Sequence, residues 1–208
     1  SAGGQIVQRY ALSGLVFEGL SAPVSFFPAN PSTLTYLSNM RPIFPSLDNS
    51  TCSTYCSNDT ILVERFVFEV PSSERIAKCE GYNTYGYGLE GTLVPYMQGR
   101  PVAELIRGYQ TRSVTYVSGE MDICNEPYME ENTCTSCSKV DDGGLDTSCE
   151  AYFQGNCRMQ RSHAFAQHVQ QFYGGKAPTH SLLNVPFCGH NGCAILQSPA
   201  LLNAMFNA

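Results

Sequence analysis

The sequence predicts an α/β fold in which helices flank a parallel sheet. Segments with helical periodicity alternate along the chain with short apolar runs that are typical of strands, and this order favours parallel pairing. The 208 residues, 43% of them hydrophobic, are enough for one packed domain. About three strands are visible, whereas an average sheet has roughly five or six. We therefore expect polypeptide upstream of Ser1 to complete the sheet and cover its bare edge.

The first third of the chain indicates one helix and one strand. Residues 1–13 carry apolar side chains at helical spacing and are followed by Gly14, which predicts a helix with a glycine stop. Residues 24–29 are an apolar run closed by Asn30-Pro31, which predicts a strand and then a turn. Residues 61–70 fit either a strand or a buried helix, because their apolar period is ambiguous.

The rest of the chain continues the alternation. Residues 79–100 are rich in glycine and tyrosine and indicate an ordered loop. The elements predicted after this loop are a short helix at 101–108, a strand at 113–118, a helix at 151–173 that ends at a Gly-Gly pair, a strand at 181–187 and a closing helix at 199–206.

Cysteines and glycosylation sequons indicate an oxidising, secretory route. The sequons begin at Asn49 and Asn58 and lie beside two cysteines in one polar loop. Cysteine-rich segments at about 45–60 and 123–148 are predicted to be loop insertions within a single domain spanning 1–208. Ten cysteines are candidates for disulfides, namely Cys52, Cys56, Cys79, Cys124, Cys134, Cys137, Cys149, Cys157, Cys188 and Cys193.

The connectivity of these cysteines stays open, since ten cysteines allow many pairings. One hypothesis is a bridge between Cys188 and Cys193, which would stiffen the loop that carries His190. The Cys134-x-x-Cys137 pair also fits zinc or redox chemistry, but it lacks a second pair at metal-site spacing, so a disulfide is favoured.

Bulk charge and the remaining histidines argue against several classes of ligand. The net charge is −6 and no lysine or arginine cluster occurs, which argues against nucleic acid and anionic membrane surfaces as partners. No apolar run approaches the roughly 20 residues that a membrane span needs. His163 and His168 lie five residues apart, not at the i, i+4 spacing of helical metal ligands, and are expected to be surface or packing residues; His180 is expected in a loop. We expect neither a metal nor a cofactor.

Residues with catalytic chemistry follow both late strands and open the chain. Asp122, with Glu120 as the rival acid, follows the strand at 113–118, and His190 follows the strand at 181–187. Functional groups of open α/β sheets gather at the carboxyl ends of the strands. The chain itself begins Ser1-Ala2-Gly3, which matches the second half of the G-x-S-x-G nucleophile elbow.

Six segments in this order resemble one family. They are Ser1-Ala2-Gly3-Gly4-Gln5 with Arg9-Tyr10, Ala29-Asn30-Pro31-Ser32-Thr33 with Tyr36, Tyr82-Asn83-x-Tyr85-x-Tyr87-Gly88-Leu89-Glu90, Val114-Thr115-Tyr116 with Gly119-Glu120-x-Asp122, Leu145-Asp146-x-Ser148-Cys149-x-Ala151 with Gln154-Gly155, Arg158 and Arg161, and Gly189-His190 with Ser198-Pro199. Together they resemble the C-terminal part of lipase- and esterase-like proteins of the α/β-hydrolase fold. The half before the nucleophile is absent, and the cysteine-rich segments are longer than that pattern.

The resemblance implies a secreted serine hydrolase that cleaves small carboxylic esters through an acyl-enzyme. Ser1 would be the nucleophile, His190 the base, Asp122 the acid that orients it, and the Ala2 N–H one oxyanion donor. The expected partner is the N-terminal half of the same hydrolase, as preceding sequence or as a separate processed chain; a homo-oligomer stays open. The alternative is a catalytically inactive protein of this fold with an adhesion, binding or structural assembly role.

Overall fold

The computed structural model describes residues 2–14, 22–44, 65–123 and 145–206. The predictions that fall outside these residues concern Ser1, the sequons at Asn49 and Asn58, the cysteines Cys52, Cys56, Cys124, Cys134 and Cys137, and most of both predicted insertions.

The described elements alternate between helices and strands. In chain order they are α1 (Ala2–Ser13), β1 (Ser25–Phe26), β2 (Arg41–Pro42), β3 (Phe68–Glu69), α2 (Ser73–Ala77), a 3₁₀ turn (Glu80–Asn83), α3 (Val102–Gln110), β4 (Ser113–Gly119), α4 (Cys149–Tyr152), α5 (Arg158–Phe172), β5 (His180–Val185), α6 (Gly192–Leu196) and α7 (Pro199–Phe206).

A parallel sheet with the order β1–β4–β5 lies at the centre, which confirms the predicted fold class. Ser25 pairs with Ser113 on one side of β4, and Val114 pairs with His180 on the other. His180, expected in a loop, is therefore the first residue of β5. A parallel bridge between Ala29 and Val117 continues the β1 side towards the carboxyl end of β4.

Helices cover both faces of this sheet, as the apolar residues of β4 require. On one face, Phe165 of α5 packs edge-on against Tyr116, with ring centroids 5.3 Å apart. On the other face, Val117 and Val185 pack with Ile195 and Leu201, which belong to the two last helices. These last helices therefore fix the segment that follows β5.

Helix α1 approaches the end of β1 closely because its first turn is made of small residues. A Cβ atom at Gly4 would lie 2.3 Å from the Ala29 carbonyl oxygen, so only glycine fits there. The helix ends at Ser13, and the following Gly14 has a φ of 70°, a left-handed stop that favours glycine. The predicted helix at 1–13 and its glycine stop match α1 closely.

The short helices α2 and α6 were not predicted, and two larger elements differ from the predictions. The helix expected at 151–173 is split into α4 and α5, because Gly155 adopts a φ of 144° and its carbonyl accepts a hydrogen bond from Arg161 Nε at 2.8 Å. The strand alternative for residues 61–70 is met at β3, but its antiparallel pairing with β2 was not predicted; the pair joins Arg41 to Glu69 and Pro42 to Phe68. The pairing of β2 with β3 joins residues distant in sequence, whereas the break at Gly155 is local and is closed by Arg161 six residues later.

One disulfide between described residues joins Cys79 to Cys149, across 70 residues. Cys157 is also disulfide-bonded. The suggested bridge between Cys188 and Cys193 is wrong, since both are free thiols. Cys188 packs against the apolar cluster that contains Val185 of β5, whereas Cys193 is exposed on α6. The two side chains therefore have different surroundings.

Two buried arginines tie the loops around the sheet together. The Arg41 guanidinium lies over the rings of Tyr36 and Tyr82, at 4.4 and 5.1 Å from their centroids. Its hydrogen bonds of 2.7 to 3.0 Å go to Asn83 Oδ1 and the backbone oxygens of Ser38, Met40, Tyr82 and Tyr87. Burial lowers its pKa to about 10.

Arg161 likewise connects separate segments of the chain. Its guanidinium donates to the backbone oxygens of Gly155, Ser32 and Asp146, at 2.8, 2.6 and 2.9 Å. Burial lowers its pKa to about 10 as well. A guanidinium carries five N–H donors in a rigid plane, so one side chain can hold three separate segments.

Candidate active site

Asp122 lies in a tight turn just after the carboxyl end of β4. Its backbone N–H donates to the Gly119 oxygen at 3.1 Å, and its own carbonyl accepts from the Met159 N–H at 3.1 Å. The residue is buried, with 2% of its surface exposed. Gly119 is required in this turn, because a Cβ there would lie 2.4 Å from the Cys188 oxygen.

His190 lies in the segment after β5 and faces this carboxylate. Its Nδ1 atom is 2.9 Å from Asp122 Oδ2. A carboxylate can only accept a hydrogen bond, so the bond assigns a proton to Nδ1 and makes Nε2 the acceptor nitrogen of the neutral ring. Of the two acids that the sequence offers, Asp122 is the one bonded to the imidazole, while Glu120 uses its backbone N–H to extend the pairing with Val185.

A buried arginine contacts the second oxygen of the same carboxylate. Arg158 Nη1 lies 3.5 Å from Asp122 Oδ1, and the side chains are 4% and 1% exposed. Arg158 is the first residue of α5, so the positive N-terminal end of a 15-residue helix also points towards this turn. The carboxylate is therefore held from two sides, with the imidazole on one oxygen and the guanidinium near the other.

His190 opens onto a mainly apolar cavity of about 510 Å³. The start of α1 forms another wall, through Ala2, Gly3 and Gly4. The first backbone N–H groups of a helix lack partners within the helix and point outwards with the positive end of its dipole. The cavity thus brings the imidazole and the N-terminal turn of α1 to one place. Its remaining lining residues are Val7, Phe27, Ala29, Asn30, Gly192, Ile195 and Leu196.

Three of the four residues predicted for the site have described positions. Asp122 and His190 are in contact, and Ala2 shares the cavity with His190. Ser1 lies outside the described residues. Arg158 and Asn30 also belong to this site; both are among the residues that carry the family resemblance, but their sequence context gave no sign of their contacts.

The other three histidines are buried and serve packing. His163 donates or accepts a hydrogen bond with Asn184 Oδ1 at 2.8 Å, and His180 bonds to the Tyr116 hydroxyl at 2.8 Å. His168 lies among aromatic rings, with the Tyr36 ring centroid at 4.6 Å. Burial lowers the pKa of all three, and that of His168 to about 3. His163 and His180 also line a second cavity of about 470 Å³, over α5 and β5.

Within the described ranges, one cluster has side chains of metal-ligand type, and it consists of Cys79, Cys149 and Glu150. Two of these are joined as a disulfide, so they offer no thiolate to a metal. None of the helices in the described part of the chain has the length and apolar character to cross a membrane.

Comparison with solved structures supports the fold assignment. The chain aligns with the poly(3-hydroxybutyrate) depolymerase LpqC from Bordetella parapertussis at a TM-score of 0.54 and 19% identity, over 100% of this chain and 47% of that one. It aligns with poly(aspartic acid) hydrolase-1 from Sphingomonas sp. KT-1 at a TM-score of 0.51 and 18% identity, over 95% and 50%.

The chain therefore has the α/β architecture of the α/β-hydrolase fold, and it spans about half the length of these two structures. No protein-family model matches the sequence, and no curated protein matches it either.

Proposed function

We propose that the chain carries the catalytic residues of a serine hydrolase that cleaves carboxylic esters. The observation that carries this proposal is the 2.9 Å hydrogen bond between the buried Asp122 and His190, at a cavity whose wall includes Ala2. Ser1 is joined directly to Ala2, so the nucleophile would come from the same wall. The names of the two structural neighbours, a depolymerase and a hydrolase, support a hydrolytic role for this fold.

The first half of the reaction forms an acyl-enzyme. Ser1 Oγ attacks the ester carbonyl carbon while His190 Nε2 takes the hydroxyl proton. Asp122 accepts the hydrogen bond from Nδ1, which keeps the imidazole in the correct tautomer and stabilises the imidazolium. The carbonyl oxygen becomes an oxyanion facing the Ala2 N–H. The intermediate then collapses, the ester C–O bond breaks, and His190 returns its proton to the departing alcohol.

The second half of the reaction repeats these steps with water. His190 removes a proton from a water molecule, whose oxygen attacks the acyl carbon of the serine ester. The serine Oγ then leaves and regains the proton from His190, and the carboxylic acid is released. The mainly apolar cavity would hold the acyl or alcohol part of the substrate, because burying apolar surface is favourable and this wall offers few polar partners.

We further propose that an upstream half of the same hydrolase completes the site, as preceding sequence or as a processed chain. The short β1 strand lies at one edge of the three-stranded sheet, and Ile6 on α1 is 64% exposed, so further strands and helices have a surface to pack on. That half would also supply the second oxyanion donor, which in this fold comes from a loop after an earlier strand.

The disulfides favour an extracellular location for this enzyme. The bond between Cys79 and Cys149 connects the start of the 3₁₀ turn to the start of α4, and Cys157 is also disulfide-bonded. Such bonds persist in oxidising compartments and are rare in the cytosol. We therefore propose that the protein is secreted and that the sequons at Asn49 and Asn58 carry glycans.

A fluorophosphonate probe tests the proposed nucleophile. The complete hydrolase, with the upstream half present, should form a phosphonate ester on Ser1, identified by mass spectrometry of the digested protein. The variant Ser1→Ala should remain unlabelled. Absence of label from the wild-type assembly, or equal labelling of Ser1→Ala, would contradict the enzyme and favour an inactive binding or structural protein with this fold.

Hydrolysis of a nitrophenyl ester tests the acid, and a matched pair of variants makes the test specific. Asp122→Asn should lower kcat by about 10⁴-fold, because the amide no longer holds the imidazole tautomer in which Nε2 is the acceptor. Glu120→Gln changes a neighbouring carboxylate in the same turn and should leave kcat within about threefold of wild type. If the two variants lose equal activity, Asp122 has no special role.

A further inference from the structure

The side chain of Asn30 connects the two loops that carry Asp122 and His190. Its Oδ1 accepts from the Gly119 N–H at 2.8 Å, and its Nδ2 donates to the Gly189 oxygen at 3.2 Å. Gly119 begins the acid loop, residues 119–122, and Gly189 is the neighbour of His190. One amide group therefore contacts both loops, through its two different ends.

The backbone of Asn30 is itself fixed to the sheet. Its N–H donates to the Val117 oxygen at 2.9 Å, and the Val117 N–H donates to the Pro28 oxygen at 3.0 Å. Asn30 has a φ of 40°, a left-handed conformation that asparagine tolerates better than most residues. With 4% of its surface exposed, the residue has little freedom to move away. The Asn30 backbone is thus bonded to β4, and its side-chain amide is bonded to the Gly189 backbone next to His190.

We propose that Asn30 is a positioning residue that sets the distance between Asp122 and His190. This inference rests on the proposed hydrolase function, and it assigns a role to a side chain that takes no part in proton transfer. A second hydrogen bond joins the acid loop to the segment that carries His190: the Met121 N–H donates to the Cys188 oxygen at 2.8 Å. That hydrogen bond is made two residues before His190, whereas Asn30 bonds to Gly189, the residue directly before it.

Only an amide of this length satisfies both contacts. Aspartate has nearly the same shape but cannot donate to the Gly189 oxygen, and it would place a carboxylate against that carbonyl. Glycine keeps the left-handed backbone without strain and removes both hydrogen bonds. The pair Asn30→Asp and Asn30→Gly therefore separates the contribution of the donor from that of the whole side chain.

The experiment compares these variants in the complete hydrolase. Asn30→Gly should lower kcat by roughly 10- to 100-fold, because a small misplacement of a catalytic group has effects of this size, while KM stays within about threefold. Asn30→Asp should lower kcat at least as much. The NMR resonance of the imidazole proton between His190 and Asp122 needs no substrate, and it should broaden or disappear in Asn30→Gly.

Gln154→Ala is the matched control. Gln154 is also a buried amide with two hydrogen bonds between distant segments, from the Leu34 N–H at 2.8 Å and to the Leu34 oxygen at 2.7 Å. It should lose stability but keep kcat within about threefold at temperatures where it is folded. An equal loss of kcat in Gln154→Ala, or an unchanged imidazole resonance in Asn30→Gly, would overturn the inference.

The proposed function and this inference fail in different ways. A wild-type protein that hydrolyses no ester and takes no probe contradicts the hydrolase, and the imidazole resonance of Asn30→Gly still decides the positioning role. A wild-type enzyme with full activity, together with an equally active Asn30→Gly, contradicts the positioning role alone.

Discussion

The site and the loop shell are both buried and polar, but different kinds of side chain hold them together. At the site, a neutral amide from Asn30 joins two loops, and the charged groups Asp122 and Arg158 lie against each other. In the loop shell, defined here as residues 32–41, 79–90 and 145–157 together with Arg161, the cations of Arg41 and Arg161 bond mainly to backbone carbonyls. In the shell, the charged side chains of Arg41 and Arg161 connect separate segments. At the site, the charged side chain of Asp122 binds the His190 imidazole.

This difference predicts that the two regions respond differently to mutation. A change in the loop shell should lower the free energy of unfolding and leave the activity per folded molecule intact. A change at the site should lower kcat with a smaller effect on stability. Urea unfolding and kcat for the proposed ester hydrolysis, measured on the same samples of the complete protein, separate the two responses.

The largest effect on stability is expected for Arg41→Met. The variant keeps an apolar stem but removes five hydrogen bonds, and the backbone oxygens of Ser38, Met40 and Tyr82 lose the donor that Arg41 gives them. The Tyr87 oxygen keeps its bond from the Tyr36 N–H at 3.0 Å. Unpaired buried acceptors cost about 1–3 kcal/mol each before relaxation, so we expect a loss of about 5 kcal/mol in unfolding free energy. Arg75→Met is the control, because Arg75 is exposed and lies over the Phe153 ring. Equal losses in both variants would contradict the role of Arg41.

The next largest effect is expected when the disulfide of the loop shell is removed. Cys79 and Cys149 are 70 residues apart, so their bond closes a long loop in the unfolded chain. The chain-entropy model gives about 4 kcal/mol for a loop of this length. The double variant Cys79→Ser, Cys149→Ser should lose this much in urea unfolding. Cys193→Ser, which changes an exposed free thiol, should unfold like wild type. A double variant as stable as wild type would show that other contacts fix these loops.

Acid should destabilise the fold through His168 of α5, whose ring packs against Tyr36 of the loop shell. Burial, and secondarily the Arg41 charge, lowers its pKa from 6.5 to about 3, so the folded state keeps the imidazole neutral. The unfolded chain binds a proton below its ordinary pKa. Stability is therefore complete above pH 6.5 and falls as the pH drops towards 3, with a loss of about 2 kcal/mol at pH 5 from this group.

The variant His168→Phe tests this assignment. The ring lies among Phe68, Phe165 and Phe172, so phenylalanine should pack there without titrating. Unfolding free energies at pH 7.5 and pH 5 should differ by about 2 kcal/mol less in His168→Phe than in wild type. His163 and His180, whose pKa values are also lowered by burial, contribute in the same direction and remain in both proteins. The same pH dependence in both proteins would assign the effect to these two residues.

The sequence predicts those features of the structure that depend on local patterns, and it misses features that depend on residues distant in the chain. Helix α1, strand β4 and helix α7 depend on local periodicity and were predicted within about a residue or two. Asp122 and His190 were predicted as neighbours, because both follow strands of one parallel sheet. Arg158 near Asp122 and the two contacts of Asn30 depend on partners far away in sequence, so no local pattern indicates them. The split between α4 and α5 lies at Gly155, which interrupts the helical pattern locally with a φ of 144°.

The smallest effect is expected for a charged pair outside both regions. Lys78 and Glu74 form a salt bridge of 2.8 Å on α2, with side chains 74% and 79% exposed. Exposed pairs at i, i+4 contribute only about 0.3–0.5 kcal/mol, because water and salt screen the charges. Lys78→Ala should therefore change neither the unfolding free energy beyond this amount nor kcat. A loss of 2 kcal/mol would mean that charge stabilises this fold at its surface as well as in its interior. Stabilisation by charged side chains would then not be a distinguishing feature of the loop shell.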